Sequence, residues 1–431
     1  MLDIKFVTAH PDIVKEDLKK RFKSDRIWMV DELLEEYQEW KKIKLEIDNL
    51  RHSRNTLSEQ INKLKKEKKD ASKVLNEVKA IPEKIAKKEQ ETTLLEKGMD
   101  EKLRKIPNIL DASVPVGKDE SFNKIIKKQG TIAKSSFEVK SHVDIITKLD
   151  LVDLERAAKV SGARFYYLKN ELAELELAVI KYAIDHLRKK GYTFLRTPDL
   201  LKKEAIEGAA ELQDFEETLY HDQKENLFLI ATAEHAVAAL HSDETLEALP
   251  MKYVAFSECF RREAGAHGKD MKGIFRVHEF RKVEQFVICH PKDSWKIHEE
   301  LIKNTEEIID GLEIPYRIVN IASGELNDTA AKKYDIEAWM PAQKAYREMG
   351  SCSNCLDYQA RKLNIRYQKG EERGFVHMLN STAVATPRIL VAIIENFQQK
   401  DGSIKIPTVL HKYTGFKMIE AKREKGTKSK K

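Results

Sequence analysis

The most informative stretch of this sequence is Phe256–Phe286, which reads FSECFRREAGAHGKDMKGIFRVHEFRKVEQF. A strand pattern that carries Arg261 and Glu263 leads into a glycine-rich basic turn, and a second strand is predicted over Arg276–Val287. Because strand side chains alternate between two faces, one hairpin face is expected to collect the following side chains: Arg261, Glu263, Arg276, His278, Phe280, Lys282 and Glu284. Guanidinium groups match phosphate oxygens, an aromatic ring stacks on a base, and a carboxylate holds an ammonium group. The hairpin therefore predicts a site for a nucleotide beside a charged small molecule.

A solvent-exposed hairpin whose charges serve only solubility would have a similar composition. The order of the residues favours the first interpretation: FRxE, then a long loop with glycines, then RxHxFxKxE. This order resembles motif 2 of the class II aminoacyl-tRNA synthetases, in the form that seryl-tRNA synthetases carry.

The composition is that of a chain with two or three domains and a substantial core. The net charge of +6 is a small difference between 77 basic and 71 acidic residues, so it permits a nucleic-acid partner without requiring one. Four cysteines argue against a disulfide scaffold and favour a reducing compartment. No apolar run approaches the roughly 18 residues of a membrane span, and the first residues lack a signal-peptide pattern. A cytoplasmic protein without a membrane partner is expected.

Two runs of apolar residues at spacings of three and four lie between Asp31 and Ile106, separated by a polar break near Asp70. They predict an antiparallel two-helix coiled coil over about residues 31–106, with a kink or a new helix start at Pro82. A charged coiled coil serves either as a spacer or dimerisation element or as an arm that contacts nucleic-acid phosphates. Seryl-tRNA synthetases resemble this arrangement, with an N-terminal arm that binds tRNA. The resemblance implies that four basic residues bind tRNA: Arg51, Arg54, Lys63 and Lys65.

Proline and glycine in residues 107–130 indicate a domain boundary near residue 110. We expect a tRNA-binding domain over residues 1–110, a catalytic domain over 111–416 and a basic, disordered tail over 417–431. A helix predicted at about Leu168–Lys190 is followed by the strand pattern YTFLRTPDL, which Pro198 interrupts. This pair resembles motif 1, the dimer-interface element of class II synthetases, and implies a homodimer.

A buried strand is predicted at Leu227–Ala231, immediately before a helix whose first turn holds Glu234. Thr232 followed by an acidic residue is ordinary helix-capping chemistry, which does not exclude a function. Seryl-tRNA synthetases have a matching Thr-x-Glu loop at the amino-acid pocket, so the resemblance assigns Thr232 and Glu234 to serine binding.

Glu348 and Ser351 match the Glu-x-x-Ser unit that holds Mg²⁺ against the ATP phosphates in this family. Carboxylate and hydroxyl oxygens are ligands that Mg²⁺ prefers. Cys352 and Cys355 form a C-x-x-C, but no second pair has the ligand spacing of a zinc site, so zinc is not expected.

The stretch GFVHMLNSTAVATPRILVAIIENFQ begins at Gly374 and predicts a strand at Val376–Leu379, a turn at Asn380–Thr382 and a helix that opens at Pro387-Arg388. A cation at a helix N-terminus lies against the positive end of the helix dipole, so an anion is expected to share the site with Arg388. The stretch resembles motif 3, whose arginine stacks on the adenine and contacts the γ-phosphate of ATP.

With these motifs in order, the chain is identified as a member of the seryl-tRNA synthetase family. The resemblance implies an α+β fold, with an antiparallel sheet flanked by helices and an N-terminal antiparallel two-helix coiled-coil arm. It also implies a serine–tRNA ligase, which activates L-serine with ATP and transfers it to tRNA(Ser), with tRNA(Sec) left open. The implied catalytic residues are Arg261, Glu348 and Arg388. The implied ATP-binding residues are Arg261, Glu263, Arg276, Val277, Phe280, Glu348, Ser351 and Arg388. The implied serine-binding residues are Thr232, Glu234, Arg261, Glu284, Asn380 and Thr382.

Two alternatives stay open at this point. One is a synthetase paralogue that loads a small amino acid onto a carrier protein, although such relatives generally lack the long arm. The other is a catalytically inactive RNA-binding scaffold, which would be expected to lose Arg261, Glu348 or Arg388, and all three are present.

Overall fold

The structure is a computed structural model that describes residues 1–210, 218–263 and 272–421. It divides into two compact units, Met1–Ile109 and Leu110–Lys431. The helices of the first unit are α1 (Ile4–Ala9), α2 (Pro11–Lys20), α3 (Ile27–Lys66) and α4 (Ser72–Lys105).

Helices α3 and α4 form the predicted antiparallel pair. Their seam is an apolar cluster built from buried isoleucines, with partly buried leucines packed against it: Ile43, Ile47, Ile81, Ile85, Leu50, Leu57 and Leu95. Side chains on the flanks of the seam also join the helices, because Trp40 donates a 2.8 Å hydrogen bond to Glu96 and Arg51 donates one of 2.8 Å to Glu89. Of the two alternatives expected at Pro82, the new helix start is wrong, since α4 continues through this residue, and the kink stays a prediction. Pairing with α3 on one face compensates for the single backbone donor that proline lacks.

The four basic residues expected to bind tRNA are all exposed on α3. Arg51 is the most constrained of them, because it also lies 3.6 Å from Asp48. Such exposed ion pairs are weak and exchange readily with other partners. The surface is therefore accessible to phosphate groups.

The second unit is built on a sheet that, within the described residues, has eight strands. They are β1 (Lys124–Gln129), β4 (Thr193–Arg196), β9 (Met251–Phe260), β10 (Glu279–Cys289), β11 (Tyr316–Asn320), β12 (Lys332–Met340), β13 (Ala345–Asn354) and β16 (His377–Ala385). Their order across the sheet is β1-β11-β12-β13-β16-β10-β9-β4, and neighbours are antiparallel except β4 and β9, which run parallel. The shorter strands outside it are β2 (Val152–Asp153), β3 (Tyr167–Leu168), β5 (Leu200–Lys202), β6 (His221–Asp222), β7 (Leu227–Leu229), β8 (Thr245–Leu246), β14 (Arg366–Lys369), β15 (Glu372–Phe375), β17 (Ile404–Lys405) and β18 (Met418–Ile419).

Helices cover both faces of this sheet. The α-helices of this unit within the described residues are α5 (His142–Lys148), α6 (Leu154–Ser161), α7 (Asn170–Arg188), α8 (Lys203–Ala209), α9 (Ala233–Ala239), α10 (Ser294–Gly311), α11 (Tyr358–Lys362), α12 (Thr386–Phe397) and α13 (His411–Thr414). Alternate residues of β10 enter different cores, with Val287 packed towards α7, α10 and α12 and Phe286 towards α8, α9 and α11. The predicted α+β architecture, an antiparallel-dominated sheet between helices together with a helical arm, is confirmed.

The central hairpin is shorter than the alternation pattern predicted. Strand β9 ends at Phe260 and β10 begins at Glu279, so Arg261, Glu263 and Arg276 lie beyond the paired strands. Glu263 has a φ of +48°, which a strand residue does not adopt. Residues 264–271, where the glycine-rich basic turn was predicted, lie outside the described residues.

Two further expectations are corrected by strand pairing. Asn380–Thr382, expected as a turn, lie within β16, where backbone bonding to β10 and β13 on both sides outweighs the turn preference of Asn and Ser. The tail was expected to be disordered from Lys417, but Met418 and Ile419 pair with β17 and Ile419 is buried. None of the helices in the described part of the chain is long and apolar enough to cross a membrane.

Candidate active site

A cleft of about 630 Å³ gathers residues from three distant parts of the sequence. All eight residues that the sequence assigned to ATP line this cleft: Arg261, Glu263, Arg276, Val277, Phe280, Glu348, Ser351 and Arg388. The hairpin β9–β10, the strand β13 and the start of α12 supply them, and these elements are neighbours because β16 lies between β13 and β10.

Arg261 is held firmly although it lies past the end of β9. Its backbone N–H donates to the carbonyl of His278 at 2.8 Å, and Nδ1 of His278 donates to the carbonyl of Arg261 at 2.8 Å. The Nε of Arg261 donates to the carbonyl of Ala231 at 3.2 Å, and its guanidinium carbon lies 5.3 Å from the centre of the Phe280 ring. These contacts fix the direction of the guanidinium group before any ligand binds.

Arg276 and Glu263 face each other across the mouth of the hairpin. Nη1 of Arg276 lies 3.5 Å from Oε2 of Glu263, and the carbonyl of Glu263 accepts a 3.2 Å hydrogen bond from Arg164. Within the described residues the buried Nε of Arg276 has no hydrogen-bond partner. A buried donor without an acceptor is costly, so an anionic acceptor in the cleft would stabilise it.

A β-bulge brings Glu348 and Ser351 to the same cleft. Residues three apart on a regular strand point to opposite faces. On β13, however, Gly350 pairs with Ile336 and Glu348 pairs with Glu337, so Met349 is an extra residue opposite β12. The bulge therefore brings Glu348 and Ser351 to the same face of β13. Regular alternation of side chains along a strand does not predict this arrangement for residues three apart.

Arg388 lies at the first turn of α12, as predicted, and Glu348 supplies the anion expected beside it. Nη1 of Arg388 donates to the carbonyl of Glu348 at 3.0 Å and lies 3.4 Å from its Oε2. Its guanidinium carbon lies 5.6 Å from the Phe275 ring, not over Phe280. Partial burial alone would raise the pKa of Glu348, but Arg388, Lys333 and Arg261 outweigh it and the pKa is lowered. The carboxylate is therefore ionised and able to bind a cation.

A second cavity, of about 610 Å³, adjoins the cleft. Arg261, Lys282 and Ser351 line both spaces, and the second cavity also contains Thr232, Glu234 and Asn380. Thr232 caps α9, since its Oγ1 accepts from the N–H of Glu234 at 3.2 Å. The capping interpretation is thus correct as structure, and the same residues face a cavity.

Glu234 is a buried carboxyl group with an unusual protonation behaviour. Burial raises its pKa to about 7, and the negative charge of Glu284 adds to the effect. Its Oε1 accepts a 2.9 Å hydrogen bond from Gln359. Burial also lowers the pKa of the neighbouring His235 to about 3, so this imidazole is neutral at physiological pH.

Lys282 lines the second cavity, although the sequence placed it on the hairpin face without assigning it a ligand. It pairs with Glu284 and donates a 3.0 Å hydrogen bond to Oγ1 of Thr232. Glu284 in turn accepts from Oγ1 of Thr382 at 3.3 Å. Alternation placed Lys282 on the correct face of β10, but nothing in the sequence alone indicated which partner it would take.

A buried network ties the start of α12 to α7 and the hairpin. Glu176 accepts a 2.7 Å hydrogen bond from Thr386 and pairs with Arg281, whose Nε donates to Glu258 at 3.1 Å. Sequence reasoning missed this network because Glu176 is a lone acidic residue on an apolar helix face. Its position fixes the turn that presents Arg388.

All four cysteines are buried and free. Burial raises the pKa of the Cys352 and Cys355 thiols, and the two sulfur atoms face different neighbours, the carbonyl of His298 and the hydroxyl of Thr329. Within the described residues, no group of three or more His, Cys, Asp or Glu side chains is placed to hold a metal ion. The expectation that zinc is not used stays a prediction.

The comparisons with known proteins agree with this geometry. The profile of the tRNA synthetase class II core domain (G, H, P, S and T) matches residues 215–397, which makes the second unit a class II aminoacyl-tRNA synthetase core. The profile of the seryl-tRNA synthetase N-terminal domain matches residues 1–110. The chain belongs to the seryl-tRNA synthetase family, and so to the ligases.

Similar relatives and structures support this assignment over nearly the full length. The serine–tRNA ligase of Methanospirillum hungatei is 48% identical over 97% of this chain and 99% of its own. The crystal structure of the seryl-tRNA synthetase from Pyrococcus horikoshii complexed with ATP superimposes with a TM-score of 0.94, at 46% identity over 98% of this chain and 100% of that chain. The cytoplasmic serine–tRNA ligase of Naegleria fowleri in complex with AMP gives a TM-score of 0.88, at 39% identity over 98% of this chain and 99% of that chain.

Proposed function

We propose that this chain is a serine–tRNA ligase that forms seryl-adenylate in the joined cleft and cavity and then transfers serine to the 3′ end of tRNA(Ser). The observation that carries the proposal is the position of Arg261, which lines both spaces. A fixed guanidinium at this junction can hold the α-phosphate of ATP on one side and the carboxylate of an amino acid on the other. The chain is therefore equipped to join these two groups.

In the first step, a carboxylate oxygen of L-serine attacks the α-phosphorus of ATP, the bond to the β-phosphate breaks and pyrophosphate leaves. Such a displacement depends on positioning and charge neutralisation more than on an acid or a base. Arg261 neutralises the α-phosphate, and Arg276, whose buried Nε has no partner among the described residues, is assigned to the γ-phosphate. Catalysis is assigned to Arg261, Arg388 and Glu348.

The remaining ATP-binding residues surround the base and the phosphates. Glu263 accepts from the adenine amino group, Val277 lines the wall, and Phe280 and Arg388 are assigned to opposite faces of the ring. Both side chains line the cleft, and Arg388 lies near the Phe275 ring whereas Phe280 lies near Arg261.

The donor set of the cleft also fits Mg²⁺. Glu348 is an ionised carboxylate whose side chain is 46% exposed, and the Ser351 hydroxyl lies in the same cleft. Oxygen ligands of this kind, completed by phosphate oxygens and water, suit the ion. When bound, Mg²⁺ would supply positive charge against the ATP phosphates.

The second cavity, together with Glu284, which pairs with its lining residue Lys282, and Thr382 in the adjoining cleft, provides the groups that an amino acid with a hydroxyl side chain needs. Glu284, Thr232 and Glu234 are assigned to the ammonium group, and Asn380 and Thr382 to the hydroxyl group. Asn380 is buried and lines the cavity, so an amino acid without the hydroxyl would leave its amide without that partner. The cavity is thus expected to reject alanine.

In the second step, a ribose hydroxyl of the tRNA terminus attacks the seryl carbonyl and AMP leaves. Four exposed basic side chains of the arm are assigned to phosphates of tRNA: Arg51, Arg54, Lys63 and Lys65. The match of residues 1–110 to the family's N-terminal domain favours a tRNA acceptor over a carrier protein. An inactive scaffold would be free to lose Arg261, Glu348 or Arg388. All three are present and line one cleft, which argues against that alternative.

The proposal includes a homodimer in the cytoplasm. Helix α7 and the edge strand β4 expose apolar side chains that a second copy would cover, with Leu177 62% and Phe194 42% exposed.

The test of the whole function is charging of unfractionated tRNA with labelled serine. Label on tRNA(Ser) supports the proposal, and label on a carrier protein instead would replace it with the paralogue.

Serine binding is expected to weaken at low pH because of Glu234. Its pKa is raised to about 7 by burial, so the carboxylate that attracts the ammonium group is formed only as the pH rises through this value. From pH 8 to pH 6 the ionised fraction falls about tenfold, and the KM for serine in pyrophosphate exchange should rise by about the same factor. The variant E234Q should bind serine weakly with little pH dependence, and an unchanged profile in that variant would contradict the assignment.

A further inference from the structure

The ammonium group of Lys282 occupies the place that the proposed function gives to the ammonium group of the substrate. It pairs with Glu284 and donates to Oγ1 of Thr232 at 3.0 Å, and both partners are among the residues assigned to the serine ammonium. The lysine side chain is only 9% exposed and that of Glu284 only 1%. This is a built, buried contact and not a surface ion pair.

The charges of the cavity show why the lysine is needed. Burial raises the pKa of both Glu234 and Glu284, the charge of Glu284 raises the pKa of Glu234 further, and Lys282 lowers the pKa of both carboxyl groups. Removing one partner of a buried ion pair leaves an uncompensated charge, which is strongly unfavourable. Without a ligand, Lys282 supplies the positive charge that the carboxylates require.

Entry of an amino acid changes this balance. Its ammonium group and that of Lys282 cannot both donate the same hydrogen bonds to Glu284 and Thr232. Its carboxylate, assigned to Arg261, brings a new negative charge to the junction, and Lys282 lines both the cleft and the cavity there. Moving the lysine from Glu284 to the incoming carboxylate leaves every charge paired.

We propose that Lys282 is a positioning residue that stands in for the substrate ammonium in the empty cavity and moves to the amino-acid carboxylate when serine binds. The inference rests on the proposed function. It makes the carboxylate a condition for entry: a molecule with the ammonium and hydroxyl groups alone must displace the lysine without offering it a new partner. Amines such as serinol (2-aminopropane-1,3-diol) are thereby expected to bind the wild type weakly.

The test compares serine and serinol on the variant K282M. Serine loses a charged contact to its carboxylate, so its KM in pyrophosphate exchange should rise by about tenfold or more, with kcat changed much less. Serinol no longer competes with the Lys282 ammonium group for Glu284 and Thr232, so its inhibition constant should fall severalfold. A lysine that only maintained the fold would weaken both ligands together, and that result, or an unchanged KM for serine, would overturn the inference.

Two controls keep the result interpretable. K282R keeps the charge and should restore serine binding to within a few-fold of the wild type. K252M removes another strand lysine, which pairs with Glu300 at 2.6 Å and lines neither the cleft nor the second cavity. This variant should leave the KM for serine and the inhibition constant of serinol unchanged. If the wild type gave no exchange with serine at all, the proposed function would fail first, which is a different outcome.

A measurement on the unaltered chain covers the case in which K282M does not fold. In a crystal structure with L-serine bound, Nζ of Lys282 should lie within hydrogen-bond distance of the serine carboxylate and away from Glu284. A lysine that stayed on Glu284 with serine in the cavity would overturn the inference.

Discussion

Replacing Arg388 with alanine is expected to reduce serine-dependent pyrophosphate exchange by about 10³-fold, the scale seen when one fixed charge on a transferring phosphoryl group is lost. The residue lies at the first turn of α12, bound to both the carbonyl and the carboxylate of Glu348. Its loss removes a cation from the cleft and leaves the Glu348 charge without its nearest partner. Both effects disfavour a bound polyphosphate.

Arg347 offers a matched control for this variant. Its guanidinium carbon lies 4.8 Å from the same Phe275 ring that Arg388 faces at 5.6 Å, yet Arg347 does not line the cleft. R347A should therefore change exchange by less than about tenfold. Equal losses in the two variants, or an R388A variant with wild-type exchange, would contradict the role given to Arg388.

Shortening the arm is expected to abolish tRNA charging and to spare adenylate formation. Deleting residues 51–84 joins Leu50 to Ile85, and both belong to the same apolar cluster between α3 and α4. The remaining helices keep the Trp40–Glu96 and Lys102–Glu36 contacts, so the stump should stay paired. Charging should fall by more than about 100-fold because phosphate contacts supply much of nucleic-acid affinity.

A graded version of this experiment separates charge from shape. Changing Arg51, Arg54, Lys63 and Lys65 together to alanine keeps both helices, and should raise the KM for tRNA and weaken its salt dependence. Pyrophosphate exchange without tRNA is measured in parallel for both variants. Charging that survives the deletion would contradict the tRNA-binding role of the arm, and lost exchange would show damage to the catalytic unit instead.

The sequence predicted the architecture because its motifs combine composition with spacing. Alternation on β10 correctly placed Phe280, Lys282 and Glu284 on one face, and the pattern Pro387-Arg388 correctly marked the start of α12. The residues that the sequence grouped around ATP line one cleft. Their individual roles stay predictions.

The errors arose where tertiary pairing overrides local preference. Arg261 lies beyond the end of β9 because its bonding with His278 replaces regular pairing between β9 and β10. Asn380–Thr382 stay in β16 because the neighbouring strands β10 and β13 both pair with this strand. The bulge at Met349 depends on the partner strand and has no local signal. The partners of Lys282 and Glu176 depend on distant side chains, which alternation cannot supply.

The most direct test of the central claim is ATP–pyrophosphate exchange without tRNA, with L-serine compared with L-threonine, L-alanine and L-cysteine. The arrangement of Arg261 between the two spaces predicts exchange with serine, and the buried Asn380 and Thr382 predict that alanine is rejected by roughly 10⁴-fold. Exchange with none of the four amino acids would contradict catalysis at this site and leave the arm as the functional part. Equal exchange with serine and alanine would contradict the assignment of the cavity.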